Sequence, residues 1–323
     1  MSTIKKDIPS IWALKGLCAI FVVLIHIPFN EDKYILPILN ISVPTFFMIS
    51  GYFLYSENIS NSMKKIKTWV KKIAFLSISL NLFYYVCLAG VGNVKNIEDV
   101  LITLFTGDRI CGHLWYLSAL LWALIIFYIL LKSKTDKYVR YLPVLMLFSI
   151  LLGRYSFLYA EEPGIQALRA NFLFPALPCL SVGYLIRKHE QKLMQHRYII
   201  PPLFFILLTL IYLECYTLVF LNLNNNTSYL FMTLPMAAIV MIMAVRHKSF
   251  QVPILTGIGK KHSDKLYFFH IAVCAILTRF VYSSFPELKY FSAIIVIIVT
   301  LAVSCIINLL AKKLRHYSPI KHY

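Results

Sequence analysis

Long apolar runs alternate along this chain with short, lysine-rich polar ones, and no sustained period of two runs through them. Runs such as Tyr198–Phe220 and Phe291–Ala311 are long enough to cross a hydrocarbon core of roughly 30 Å as helices. A transmembrane barrel would instead need segments of about ten residues with alternating hydrophobicity. The pattern predicts spans near 10–28, 36–55, 73–91, 114–131, 141–158, 171–186, 199–220, 228–245, 266–284 and 290–311. The expected fold is therefore all-α, a polytopic transmembrane bundle of about ten helices in a single integral-membrane domain, 1–323. The stretches around 91–112 and 246–265 are short enough to be loops or interfacial segments. In Met63–Lys72, lysines alternate with Ile66 and Trp69, which suits a helix lying on the membrane surface. Asn222–Ser228 reads as a polar turn.

Composition agrees with this picture. Of 323 residues, 59% are hydrophobic and 14% charged, and the mean hydropathy is +0.71, which excludes an ordinary soluble domain. In a soluble protein a net charge of +18 would suggest nucleic acid, but in a membrane protein the placement of the cations matters more than their sum. With ten spans both termini share one side, and 24 Lys and Arg residues fall there against seven on the other. That bias makes the richer side, with both termini, cytoplasmic, and nucleic acid is not an expected partner. The cations then orient the chain and meet anionic lipid heads, unless one cluster also holds a phosphorylated cofactor. Asn30, Glu31 and Asp32 follow the first apolar run where a signal peptide would carry small residues, so the first span is expected to stay. The seven cysteines are scattered without a Cys-x-x-Cys pair, so neither a disulfide framework nor a metal site is indicated.

Chemistry concentrates in the first helix. Lys15 and His26 are eleven residues apart, which returns a helix to within about 20° and separates them by about 16 Å along its axis. They share one face, with Lys15 near the cytoplasmic end and His26 in the outer third. Ionisable groups at membrane depth usually face a bundle interior or a hydrated cavity, although a snorkelling lysine and an unrelated structural histidine have the same spacing. His113 starts the fourth span at a depth similar to His26, so the two could meet. It either supports catalysis or sits in the aromatic belt beside Trp115 and Tyr116. His270 lies about five residues inside the cytoplasmic end of its span, where it lines a cofactor path or simply packs. Glu214 is the only acid well inside a predicted span; it pairs with Arg279, Arg154 or a histidine, as a structural ion pair or as support for catalysis. Ser50 and Gly51 suit a close helix contact or a pocket wall.

A basic residue, ten intervening residues and a histidine in the first helix resemble the signature of the acyltransferase 3 family. The segment Val43–Tyr52 resembles that family's second-helix "VPLFFFLSGY" segment. His113-Leu114-Trp115-Tyr116-Leu117 is similar to its "HLWFL" motif, and Leu266–His270 to its late "YLLH" motif. Lys15 stands where many members carry arginine, and the common basic pair before the third helix is present as Lys71 and Lys72 instead of arginines; a lysine meets phosphate as a point charge rather than a fork. No esterase-like or racemase-like extension is apparent.

The resemblance implies a membrane O-acyltransferase, most simply an O-acetyltransferase, of the bacterial inner membrane. It would take acetyl-CoA or another acyl-CoA as cosubstrate and a cell-surface glycan, or a lipid-linked or exported precursor, as acceptor. It implies cofactor contacts for Lys15, Lys71, Lys72, Trp115, Tyr116 and His270, and catalytic or supporting roles for His26, His113 and Glu214. Histidine, with an unperturbed pKa near 6.5, suits the removal of a hydroxyl proton, and an acyl-histidine intermediate is the other route. From other classes, a transporter or flippase shares the helix count and buried charge, and a membrane sensor without chemistry also fits. The chain shows no inverted repeat of the kind many transporters carry. Acceptor, position acylated and oligomeric state are not legible.

Overall fold

Helix α1 (Pro9–His26) starts on Pro9, whose missing N–H costs nothing in a first turn, and ends as Ile27 donates back to the Val23 carbonyl at 2.8 Å. The computed structural model of the chain describes residues 7–27, 34–87, 111–148, 150–151, 155, 172–195, 198–223 and 230–317, without the side chains of 172 and 314–317. After one turn at Leu36–Leu39 come α2 (Ser42–Leu54) and α3 (Ile59–Cys87). A 3₁₀ turn (Gly112–Leu114) leads into α4 (Trp115–Lys132). Then follow α5 (Leu177–Lys188), α6 (Ile200–Phe220), α7 (Thr233–Arg246), α8 (Pro253–Lys261), α9 (Ser263–Phe280) and α10 (Ser292–Tyr317). Among the described residues there is no strand.

Six helical stretches among the described residues are long and apolar enough to cross a membrane: Pro9–His26, Leu36–Leu54, Ile59–Cys87, Gly112–Lys132, Ile200–Phe220 and Pro286–Lys313. Thr233–Arg246 is apolar but shorter. The protein is a multi-pass membrane protein. Burial differs among the spans: 83% of the Leu36–Leu54 window lies inside the bundle and 50% of those in Pro9–His26 and Gly112–Lys132, against 22% for each of the windows in α3, α6 and α10. The last three therefore turn most of their apolar side chains outward, to the lipid.

The centre is built by close helix contacts. α1 packs on α8, where a Cβ on Gly16 would strike the Leu255 carbonyl and one on Gly259 the Trp12 carbonyl. Only glycine lets the two backbones approach so closely. α2 and α5 cross in the same manner through Gly51 and Gly183. α1 also packs on α2 and α9, α3 on α4, and α9 on α10.

Three expectations change here. Residues 253–261, expected in a loop or interfacial segment, form α8, because Gly16 and Gly259 let this short helix settle on α1. Met63–Lys72 is not a separate surface helix but the first turns of α3, which runs unbroken into the span. Asn58 starts α3 by accepting from the Ser60 N–H at 2.9 Å, and Lys65 donates to the Phe53 and Tyr55 carbonyls that end α2, at 3.2 and 2.9 Å. The region of the expected fifth span begins with a 3₁₀ segment (Asp136–Val144) and one turn at Leu145–Phe148; most of the rest of that span, Arg154 included, lies outside the described residues. So do Asn30, Glu31 and Asp32, and most of the polar turn expected at Asn222–Ser228.

Candidate active site

α1 carries Lys15 and His26 along one side, and α9 supplies a partner to each. At the lower end Lys15 Nζ donates to Asp264 Oδ1 at 2.7 Å and sits 5.8 Å from the Trp12 ring centroid. Lys72, on α3, stands within electrostatic reach of Asp264, and both Lys71 and Lys72 are exposed. At the upper end the His26 ring lies 5.3 Å from that of His270 and 6.2 Å from that of His113, centroid to centroid. His113 and His270 are 5.1 Å apart. Three histidines from α1, α9 and the 3₁₀ turn before α4 thus form one cluster.

Hydrogen bonds decide how two of these rings stand. His113 Nε2 is 3.3 Å from the Phe268 carbonyl, which can only accept, so Nε2 carries the proton and Nδ1 faces the Cys111 sulfur at 3.2 Å. The Tyr267 hydroxyl donates to the His113 carbonyl at 2.5 Å, and the Tyr84 hydroxyl to the Phe268 carbonyl at 2.6 Å. The turn bearing His113 is therefore tied to α9 by both its side chain and its backbone. His270 donates through Nδ1 to its own helix, 2.8 Å from the Tyr267 carbonyl and 3.2 Å from that of Leu266. His113 and His270 are buried, whereas His26 is exposed and, among the described residues, makes ring contacts only.

An aromatic layer joins the two ends. Tyr116 lies 4.6 Å from Phe47 and 5.4 Å from Tyr267, and its hydroxyl is in hydrogen-bonding contact with Ser50 and within electrostatic reach of Asp264. Tyr267 in turn packs 5.8 Å from His113. Trp115 lies tilted against Phe47, at 6.2 Å. The arrangement is a charged entrance, an aromatic wall and an imidazole cluster, in that order along α1. It offers an anion an exchangeable lysine and offers a reacting hydroxyl an accessible imidazole. Among the described residues no group of three His, Cys, Asp or Glu side chains suits a metal ion.

The family model described as an acyltransferase domain matches residues 8–309, nearly the whole chain. The chain belongs to the acyltransferase 3 family. This match supports acyl transfer as its activity, and the helices agree with a membrane acyltransferase. An amino-acid racemase of Enterococcus faecalis is 33% identical to this chain over 112 residues, which are 33% of this chain and 16% of that protein. The chain therefore spans only a small part of that relative. No solved structure matches.

The structure brings His26, His113 and His270 together, and Tyr116 packs on Tyr267 within electrostatic reach of Asp264, the partner of Lys15. Glu214 has a different setting. It accepts from the Tyr155 hydroxyl and from the backbone N–H groups of Phe231 and Met232, at 2.6 and 3.2 Å for the latter two, at the head of α7. That serves as a helix N-cap supplied from α6, and none of its described hydrogen bonds reaches a histidine. Arg279, one of its expected partners, lies over Phe280 instead.

Sequence reasoning does not single out Asp264, Tyr84 or Cys111, and it meets Tyr267 only as part of the motif ending in His270. Asp264-x-x-Tyr267-x-x-His270 places one side chain on each successive turn of α9, a spacing that could have pointed to the first two.

Proposed function

We propose that this acyltransferase takes an acyl group, most simply acetyl, from cytoplasmic acyl-CoA and passes it to a hydroxyl of a cell-surface or exported polysaccharide or its precursor. The observation that carries the reading is the two-ended face of α1: a lysine that can exchange its carboxylate partner for phosphate, and a histidine at the far end of the same face. In the proposed arrangement about ten crossings put both termini in the cytoplasm, with the membrane being the bacterial inner one. Lys15 and Lys72, with Lys71 beside them, meet the phosphates of the donor, and Tyr116 and Trp115 line the way inward.

The reaction exchanges one acyl bond for another. In the base route, a ring nitrogen of His26 takes the proton of the acceptor hydroxyl while that oxygen attacks the thioester carbon; the C–S bond breaks, and the thiolate leaves and is protonated as free coenzyme A. In the nucleophilic route, the ring nitrogen attacks the thioester carbon first and the C–S bond breaks, coenzyme A leaving as its thiol with the ring proton; the acceptor oxygen then attacks the acyl carbon of the acylimidazole, gives its proton to the ring and displaces the imidazole. Both routes need an accessible His26, and His113, with both ring nitrogens engaged, holds the neighbouring wall.

Sealed proteoliposomes of known orientation test the proposal. Acetyl-CoA supplied on the lysine-rich side should acetylate a glycan supplied only on the other side, and free coenzyme A should stay where the donor was added. A glycan that crosses unmodified would indicate transport, and a requirement for donor and acceptor on the same side would remove the hand-over across the bilayer.

A further inference from the structure

We infer that His270 is a positioning residue whose outer ring nitrogen holds His26 in its reactive orientation; the inference rests on the proposed role of His26. His270 is fully buried, and its Nδ1 is committed to the Tyr267 and Leu266 carbonyls. A carbonyl only accepts, so Nδ1 bears the hydrogen and a neutral His270 keeps a lone pair on Nε2. That Nε2 is buried with no hydrogen-bond partner among the described residues. An acceptor left in this condition is destabilising, and a fold tolerates it where something supplies the missing donor.

The donor is identified by elimination among the rings that surround His270. Nδ1 is turned back toward the helix backbone, so Nε2 is the nitrogen farther from it, and the His26 and His113 rings lie 5.3 and 5.1 Å from the His270 ring. His113 has no N–H to give, since Nε2–H goes to Phe268 and Nδ1 faces Cys111. The Tyr84 and Tyr267 hydroxyls are already donated to the Phe268 and His113 carbonyls. Among the described residues, the titratable groups acting on the His270 ring are His113 and His26. Of these, His26 alone retains an unengaged ring N–H. A small turn of that exposed ring brings one nitrogen to His270 Nε2 and leaves the other, as a lone pair, facing the acceptor hydroxyl. When His26 takes up the hydroxyl proton, the shared N–H stays on the His270 side, and the imidazolium is stabilised by a neutral partner instead of a carboxylate. This division of labour explains why the two rings differ in exposure: the orienting ring is fixed by its helix, and the reacting ring is reachable.

Two substitutions separate this role from packing. His270→Asn keeps a donor near the Tyr267 carbonyl but removes the acceptor at the far side of the ring, whereas His270→Gln places a side-chain oxygen close to where Nε2 was. With purified enzyme, acetyl-CoA and a glycan acceptor, the asparagine variant should lose about 10- to 100-fold in kcat with KM for acetyl-CoA unchanged, as is typical when an orienting partner is removed. The glutamine variant should recover to within a few-fold of the parent, about the scale of one neutral hydrogen bond. In a His26→Ala background, His270→Asn should cause no further loss, because His270 acts only through His26. Equal activity of the asparagine and glutamine variants overturns the inference, as does a further drop in the His26→Ala background, which would place His270 on the substrate itself. Full activity of His26→Ala alone would overturn the proposed role of His26 and this inference with it.

Discussion

The two ends of α1 meet the same partner helix by opposite means. At the lower end, Lys15 and Asp264 form an ion pair in which the lysine side chain is 20% exposed and the aspartate 54%. At the upper end, His113 and His270 are buried and held by backbone carbonyls of α9. An exposed ion pair contributes only about 0–1 kcal/mol, so an incoming phosphate can replace Asp264 at little cost. A buried imidazole whose N–H is committed to a carbonyl cannot reorient without leaving a polar group unsatisfied. The lower end is thus suited to catch and release, and the upper end to hold geometry.

Breaking the upper end should have the largest effect. His26→Ala should lower acyl transfer by about 10²–10⁴-fold, the usual contribution of a positioned base, while membrane insertion and detergent-extracted yield stay near normal. Glycan acetylation by mass spectrometry reads the first quantity, and near-normal acetylation would remove His26 from the chemistry. Both ends depend on where α1 sits, so Gly259→Val should disturb them together: overpacking against the Trp12 carbonyl should cost about 1–3 kcal/mol, seen as a lower thermal midpoint in detergent with activity and donor affinity falling in parallel. A loss confined to one end would show that α1 does not act as a single strut.

The lower end should respond more gently and in both directions. Replacing Lys15, Lys71 and Lys72 by glutamine should weaken acetyl-CoA binding by about 5- to 50-fold and flatten its salt dependence, with kcat at saturating donor little changed. Asp264→Asn should tighten binding by about 2- to 5-fold, since the competing carboxylate is gone. Unchanged titration isotherms in the triple variant would return these lysines to the role of orienting the chain.

The smallest effect concerns a tie outside the spans. Glu190 accepts from Arg187, from Lys248 and, at 2.9 Å, from Tyr52. Burial alone would push its carboxyl up, but the hydrogen bonds from Lys248, Arg187 and Tyr52 outweigh that and hold it below the ordinary value of 4.5. A lowered carboxyl stabilises the fold above its unfolded value and loses that contribution as pH falls through the folded one. Detergent-solubilised enzyme should therefore lose stability on acidification below about 4.5, and Glu190→Gln should lose part of this dependence. An identical acid profile in the variant would assign the loss to other carboxylates.

Much of this protein is legible in its amino-acid sequence. Apolar length decides that a segment enters a membrane, because a backbone in lipid must satisfy its own hydrogen bonds, and Ile200–Phe220 and Gly112–Lys132 follow from that rule alone. The shared face of Lys15 and His26 is equally local, since eleven residues fix the angle between two side chains on one helix. Legibility ends where neighbours have to be chosen. Asp264 lies two residues outside the predicted ninth span, and the lysine it pairs with is 249 residues away in sequence. Depth alone leaves His270 either lining a cofactor path or packing, and only the crossing of α9 on α1 brings its ring beside that of His26. Glu214, the only acid well inside a predicted span, caps a helix instead, because the two N–H groups it serves lie within its reach only once α6 and α7 are side by side. Local spacing determined which groups share a helix face. Only the tertiary contacts, made possible by glycines such as Gly16 and Gly259 that let backbones close to touching distance, decided which faces confront one another and so which histidines are buried and held and which is left exposed.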